Sequence, residues 1–212
     1  MEVASPSASA CPSRLARAAT SPQKKLRRRV AILRRTVPDA HVEVWAHDQA
    51  RRGLKPIVRR VWARRGHRPV AVSTHQYQWS YVYGFVHPAD GRTRWLILPT
   101  VNTAARQVAL TTFAQAEGGG RRKQILVVLD GAPWHRTPEL RLPPGLPLVF
   151  LPPRTPELQP AERLWPALNE GLANRPYASI QGLDRAVGRR CRQLLAQPDR
   201  IRALTAYHWW PD

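Results

Sequence analysis

Acidic residues are scarce in this chain. There are 14 Asp and Glu against 34 Lys and Arg in 212 residues, a formal net charge of +20. From Ser13 to Pro38 there is no acid at all. The excess of Arg over Lys, with abundant Ala and Pro, is what a GC-rich genome would give, but such a bias does not explain the shortage of acids. A polyanionic partner, nucleic acid, is the reading that does. Cysteine is also rare: Cys11 and Cys191 lie far apart and form no CxxC, which argues against a disulfide framework and for free thiols in a reducing compartment. No apolar run approaches the roughly 20 residues of a membrane span, and the N-terminus has no apolar signal core. A cytoplasmic, nucleoid-associated protein that avoids membranes is expected. His41, His47, His67, His75, His87 and His208 show neither HxxxH nor Cys/His spacing, so zinc is not expected. Walker-type glycine loops, GxSxG and Cys/His nucleophile patterns are missing too.

The length suits one domain with a sizeable core. Residues 1–22 are small, polar and Pro-containing, and are expected to be a disordered tail ahead of a domain over 23–212. Residues 23–36 form a basic helical pattern with Leu26, Val30 and Leu33 on one side, either a solvated face or a phosphate-contacting one. In 41-HVEVWAHD-48, Val42, Val44 and Ala46 alternate with His41, Glu43 and Trp45, predicting a strand that ends at Asp48. Residues 49–68 hold eight Lys or Arg and no acid, and read as a loop and a second extended piece. Arg51, Arg52, Lys55, Arg59, Arg60, Arg64 and Arg65 are the candidate DNA-binding residues there. The segments 77–87 and 92–100 flank PADG and predict a hairpin. Residues 102–117 have helical spacing through Ala105, Val108, Leu110, Phe113 and Ala116, stopped by GGG.

The run 125–129 is apolar at every position, as in a strand buried on both faces and covered by helices. A short strand is expected over 146–152, a helix from about 160 to 173, and a last helix over 179–196. Three strands, a helix, then strand, short helix, strand and helix suggest an α/β fold: a mixed sheet with helices on both faces, in the order of a ribonuclease-H-like domain.

With so few acids, their positions carry information. Asp48 and Asp130 each follow an apolar strand, where α/β sheets gather functional groups. Glu162 lies in the first turn of a helix introduced by Pro160. Each has an ordinary explanation alone: Asp130-Gly131 as a turn, Glu162 as a complement to the helix dipole. Together they can enclose one space whose oxygen ligands suit Mg²⁺ or Mn²⁺, and two such ions can activate an attacking oxygen and stabilise a leaving one. His135 and Trp165 are candidates for the supporting shell. Packing is the ordinary role of both, as it is of Trp209 and Trp210.

VLDGAPWH followed by LPPRTPELQPAERLW resembles the catalytic domain of bacterial insertion-sequence transposases of the mariner-like superfamily, the DDE superfamily endonucleases. VEVWAHDQARRGLKP, RRVWARRGHRP, YGFVHPADGRTRWLILPTVNT and YHWWP are similar to the same group, so the resemblance covers about residues 24–211. It implies a ribonuclease-H-like fold and metal-assisted DNA strand cleavage and transfer at element ends. Asp48, Asp130 and Glu162 then become the expected catalytic and metal-binding trio, with two Mg²⁺ or Mn²⁺ ions as the expected cofactor. Gln49 stands where relatives commonly have Glu, and Arg154 where an aromatic is common. Relatives usually carry helix-turn-helix domains ahead of the catalytic one. Here the expectation is a split element, whose upstream reading frame encodes a separate helix-turn-helix partner, or a truncated copy. A homodimer is a further expected assembly. Two other functions stay open: an inactive remnant that only coats nucleic acid through its basic surface, and a nuclease acting on RNA or structured DNA.

Overall fold

The computed structural model describes residues 21–67, 70, 76–130, 139–152 and 155–211. Residues 1–20 of the expected tail, His135 and Arg154 lie outside the described residues, while Ser21 and Pro22, expected in the tail, open the first helix.

The first helix, α1 (Pro22–Thr36), starts where Ser21 accepts a hydrogen bond from the Lys24 N–H and Pro22 occupies the first turn. Leu26 and Val30 are buried and Leu33 packs beside them, so the expected apolar side is the docked one and the basic side faces solvent. Strand β1 (His41–Gly53) follows, then β2 (Trp79–His87) and β3 (Arg92–Leu98) as an antiparallel hairpin closed at His87 and Arg92. Gly91, with φ of 77°, makes that turn; it lies against the Pro198 backbone, where a Cβ would overlap the carbonyl oxygen. Helix α2 (Thr103–Glu117) is capped by the Asn102 side chain and ends on left-handed Gly118. Strands β4 (Lys123–Leu129) and β5 (Leu148–Phe150) run parallel to β1 and to each other, giving the sheet order β3-β2-β1-β4-β5.

The sheet is mixed and carries helices on both faces. Alternate residues of the inner strands divide between two cores. On one face Val44, Ala46, Val82, Val86, Leu126 and Val128 pack with residues of α1, α3 (Leu164–Glu170), α4 (Ile180–Leu195) and α5 (Pro198–Thr205). On the other, Trp45, Tyr83, Phe85, Ile125, Val127 and Leu129 meet Ala109, Leu110, Phe113 and Ala114 of α2. This two-sided burial is why 125–129 is apolar throughout.

Several expectations need correction. Strand β1 does not end at Asp48. Its antiparallel pairing with β2 continues to Gly53, while the parallel pairing with β4 stops at Ala46, so Asp48 lies where one partner leaves, not where the strand leaves. The buried stripe of α2 runs through Ala105, Ala109, Leu110, Phe113 and Ala114; Val108 and Ala116 fall on the solvent side. The expected helix from 160 is a 3-10 turn at Pro160–Arg163 that passes into α3 at Leu164. Helix α5 was not anticipated, although Pro198 in its first turn is a start signal.

At the end of the sheet where β1 and β4 begin, Glu43 and Glu117 are buried among Arg92, Arg94 and Lys123, with Arg92 bridging both carboxylates at 2.9 and 3.0 Å. Burial alone would raise the Glu43 carboxyl, but hydrogen bonds from Trp45, Arg92 and Lys123 hold it at about 2. This network ties the start of β1, the hairpin and the end of α2 together.

Candidate active site

The register of β1 and β4 sets Ala46 opposite Val128. Asp48 comes two residues further along β1, and Asp130 follows directly after the last residue of β4. Neighbouring strands lie about 4.8 Å apart, and the two aspartates are near enough for the Asp130 charge to act on the Asp48 carboxyl. Leu151 donates its backbone N–H to the Leu129 carbonyl at 2.8 Å and fixes the end of β4 from the other side.

Glu162 reaches the aspartates from the 3-10 turn ahead of α3. Gln159, fully buried just before it, donates from Nε2 to the His47 carbonyl at 3.0 Å, pinning the turn to β1 beside Asp48. Ala161 and Leu164 are completely buried. Trp165 donates from Nε1 to Asp48 Oδ2 at 2.6 Å, and the Gln49 backbone N–H donates to Asp48 Oδ1 at 2.8 Å. The close approach of this segment depends on Gly84, the β2 partner of Asp48: a Cβ there would stand 3.1 Å from the Trp165 ring, 3.2 Å from Leu164 and 3.3 Å from Trp95. The ELQPAERLW string is therefore a docking device. Gln159 and Trp165 bracket Glu162 and fasten both sides of it to β1.

The three carboxylates feel one another. Asp48 is 8% exposed, and its carboxyl is pushed up to about 7, first by burial and then by the charges of Glu162 and Asp130, against the opposing hydrogen bonds from Trp165 and Gln49. Glu162 opens to solvent, yet it is also raised, by partial burial and by Asp130, while a hydrogen bond with Asp48 works the other way. Buried Arg106 of α2 places a positive charge near Asp130, a neighbour the sequence pattern did not single out because an Arg inside a helix reads as surface.

Among the described residues, no three His, Cys, Asp or Glu side chains are gathered closely enough to hold a metal ion as they stand. Both Asp48 oxygens are taken by Trp165 and Gln49. The donor set, three carboxylates whose mutual repulsion a cation would relieve, is nevertheless the chemistry that hard divalent cations select.

Of the basic candidates, Arg51 and Arg52 belong to β1, and Lys55, Arg59, Arg60, Arg64 and Arg65 to the irregular segment after it, exposed apart from the half-buried Arg52. Arg51 lies over Trp79, and Arg52 over Trp165 at 5.3 Å from the ring centre. The segment is clipped to the body by Asn174, whose side chain accepts from the Arg59 N–H and donates to the Arg59 carbonyl. Trp62 on it is fully exposed. Trp165 is buried and bonds to Asp48; Trp210 is buried and Trp209 packs beside it. Cys191 is a buried free thiol. No helix among the described residues is long and apolar enough to cross a membrane.

Comparison with known proteins agrees with this architecture. A curated relative, the uncharacterized protein y4pE/y4sA of Sinorhizobium fredii (strain NBRC 101917 / NGR234), is 33% identical over 132 residues, which cover 62% of this chain and 96% of that one. Among solved structures, the Mos1 transposase paired-end complex with left transposon end matches with a TM-score of 0.52 at 14% identity, over 98% of this chain and 68% of that one. The Mos1 mariner paired end complex with Mn matches at 0.53 and 14% over the same shares. The likeness shows a common fold, the ribonuclease-H-like sheet of the transposase catalytic domain. The family described as DDE superfamily endonuclease matches residues 43–184, a span that contains Asp48, Asp130 and Glu162, and this chain belongs to it.

Proposed function

We propose that the chain is the catalytic domain of an insertion-sequence transposase, with Asp48, Asp130 and Glu162 as its catalytic carboxylates. The observation that supports this is the mutual influence of the Asp48, Asp130 and Glu162 charges, with Gln159 and Trp165 fastening the two sides of Glu162 to β1. A transposase-type nuclease role follows from the family; strand transfer at element ends is the finer part of the proposal.

Asp48, Asp130 and Glu162 would hold Mg²⁺ or Mn²⁺, in a two-ion arrangement, once Asp48 turns an oxygen from its present donors. The bound ions would polarise the scissile phosphate and lower the pKa of the attacking oxygen. The chain's own contribution is to hold the carboxylates. Asp48 is oriented by Trp165 and by the Gln49 N–H, and Asp130 would be presented by the end of β4. The first attack, by water, cleaves a phosphodiester and leaves a 3′-hydroxyl; the second, by that hydroxyl on target DNA, joins the strands. Arg51, Arg52, Lys55, Arg59, Arg60, Arg64 and Arg65 would track the phosphates on either side of the cut. The expected partners are the element ends and target DNA, with a homodimer and a separate helix-turn-helix protein as assemblies to look for in the bacterial cytoplasm.

A labelled duplex carrying the element end, incubated with Mg²⁺ or Mn²⁺, tests this. Nicking by the wild-type chain, absent in Asp130→Asn and Glu162→Gln and in EDTA, is the expected result. The competing reading, a remnant that only coats DNA, draws on the ungathered state of the carboxylates. Salt-sensitive binding without nicking under either metal would establish it.

A further inference from the structure

A second polar site lies beyond Asp48 on the same strand. A cavity of about 160 Å³ opens where β1 ends, between the segment that follows β1 and the residues after α3. Arg51, Arg52, Lys55 and Arg175 line it, with Asn169 and Tyr177, and no acidic side chain does. Several of its polar atoms are buried without a hydrogen-bond partner: Arg52 Nε and Nη2, Tyr177 Oη and Asn169 Oδ1. Unpaired buried polar groups are costly and rare. Here they gather around one cavity, and nearby Arg175 and Arg189 add further positive charge at Tyr177. The room equals about five water molecules, enough for a tetrahedral oxyanion and too little for a base pair.

We propose that this cavity is a phosphate-binding pocket that seats one non-scissile phosphate of the nucleic-acid strand cleaved at Asp48, Asp130 and Glu162; it rests on the reading of those carboxylates given above. Arg52 supplies the fork that suits phosphate oxygens, the Tyr177 hydroxyl donates, and the Asn169 amide can turn to offer Nδ2–H. Arg175, on the exposed lip, closes the charge. Arg52 and Asp48 lie four residues apart on one face of β1, about 13 Å along the strand. The Trp165 ring under Arg52 is the one that donates to Asp48. A phosphate in the pocket would therefore set the distance at which the scissile phosphate arrives.

Arg52 supports Trp165, and its removal could unfold the site, so the test uses Arg175→Ala and Tyr177→Phe, the second of which keeps the ring. Binding is measured on duplexes carrying a single uncharged methylphosphonate at successive positions. The wild-type chain is expected to lose on the order of tenfold in affinity at one position, and both variants to be indifferent there while binding the unmodified duplex more weakly. The slope of log affinity against log salt should fall by about one in Arg175→Ala. Equal interference in wild type and variants, or an unchanged slope, overturns the pocket. The two readings fail separately. Glu162-dependent nicking with identical interference patterns sinks the pocket alone, whereas a variant-sensitive pattern without metal-dependent nicking sinks the cleavage reading and leaves the pocket.

Discussion

Raising the pH of the metal-free protein from 5 to 8 should destabilise it, and the reason lies in Asp48. Its carboxyl titrates near 7 in the fold against an ordinary value of 3.8. Between those values the folded chain keeps a proton that the unfolded chain has released, so stability is full below about pH 4 and is lost as pH rises through 7. A shift of about three units, at about 1.36 kcal/mol each, sets a ceiling of about 4 kcal/mol. About 2 to 3 kcal/mol of that falls between pH 5 and 8. For a domain of this size it amounts to a drop in Tm of about 4–10 °C. Glu162, also raised, adds in the same direction. Glu43, held at about 2, supplies stability above the ordinary carboxylate range and loses it only in stronger acid, outside this window. Thermal melts in EDTA at half-unit pH steps would measure the drop. Glu162→Gln should flatten it, because one of the charges that raise Asp48 is gone, and millimolar Mg²⁺ should recover stability at pH 8. A Tm that stays level or rises from pH 5 to 8, or an unchanged slope in Glu162→Gln, would refute the reasoning.

Other perturbations test neighbouring links. Asp130→Asn relieves repulsion without removing packing, so its Tm in EDTA should match or exceed wild type while nicking disappears; a large loss of stability would make Asp130 a turn residue instead. Gly84→Ala pushes a methyl against Trp165, Leu164 and Trp95 and should cost about 1–3 kcal/mol in chemical denaturation, with nicking falling further than stability because the displaced segment carries Glu162. Arg92→Ala leaves Glu43 and Glu117 to Lys123 and Arg94; near the lower end of about 3–5 kcal/mol should be lost, with Asp48 still titrating as in wild type by NMR. Replacing Arg51, Arg59 and Arg60 by Ala should weaken binding to all duplexes alike and reduce the salt slope. A sharp preference for one DNA sequence in a filter-binding panel would contradict that.

Much of the fold was legible in local chemistry. The hairpin follows from PADG between two β-rich runs, α2 from its helical spacing and the glycines after it, and β4 from an apolar run with no solvent face. The three acids stood out because the chain has so few. Sequence periodicity missed what depends on partners. It ended β1 at Asp48, where the apolar pattern stops, but a strand continues as long as one neighbour pairs with it, and β2 does so to Gly53. It put Val108 inside α2, where only the direction of the docked face could exclude it.

The sequence by itself determined the alternation of elements and the positive charge, because strand and helix periods, turn residues and charge are local properties. Tertiary structure decided that β1 and β4 pair up to Ala46 and Val128, that Gly84 admits Trp165 to donate to Asp48, and that Arg52, Asn169 and Tyr177 face one cavity. These depend on register and on the approach of segments over a hundred residues apart. Such contacts are set by how whole faces pack, and no window of the chain contains both partners.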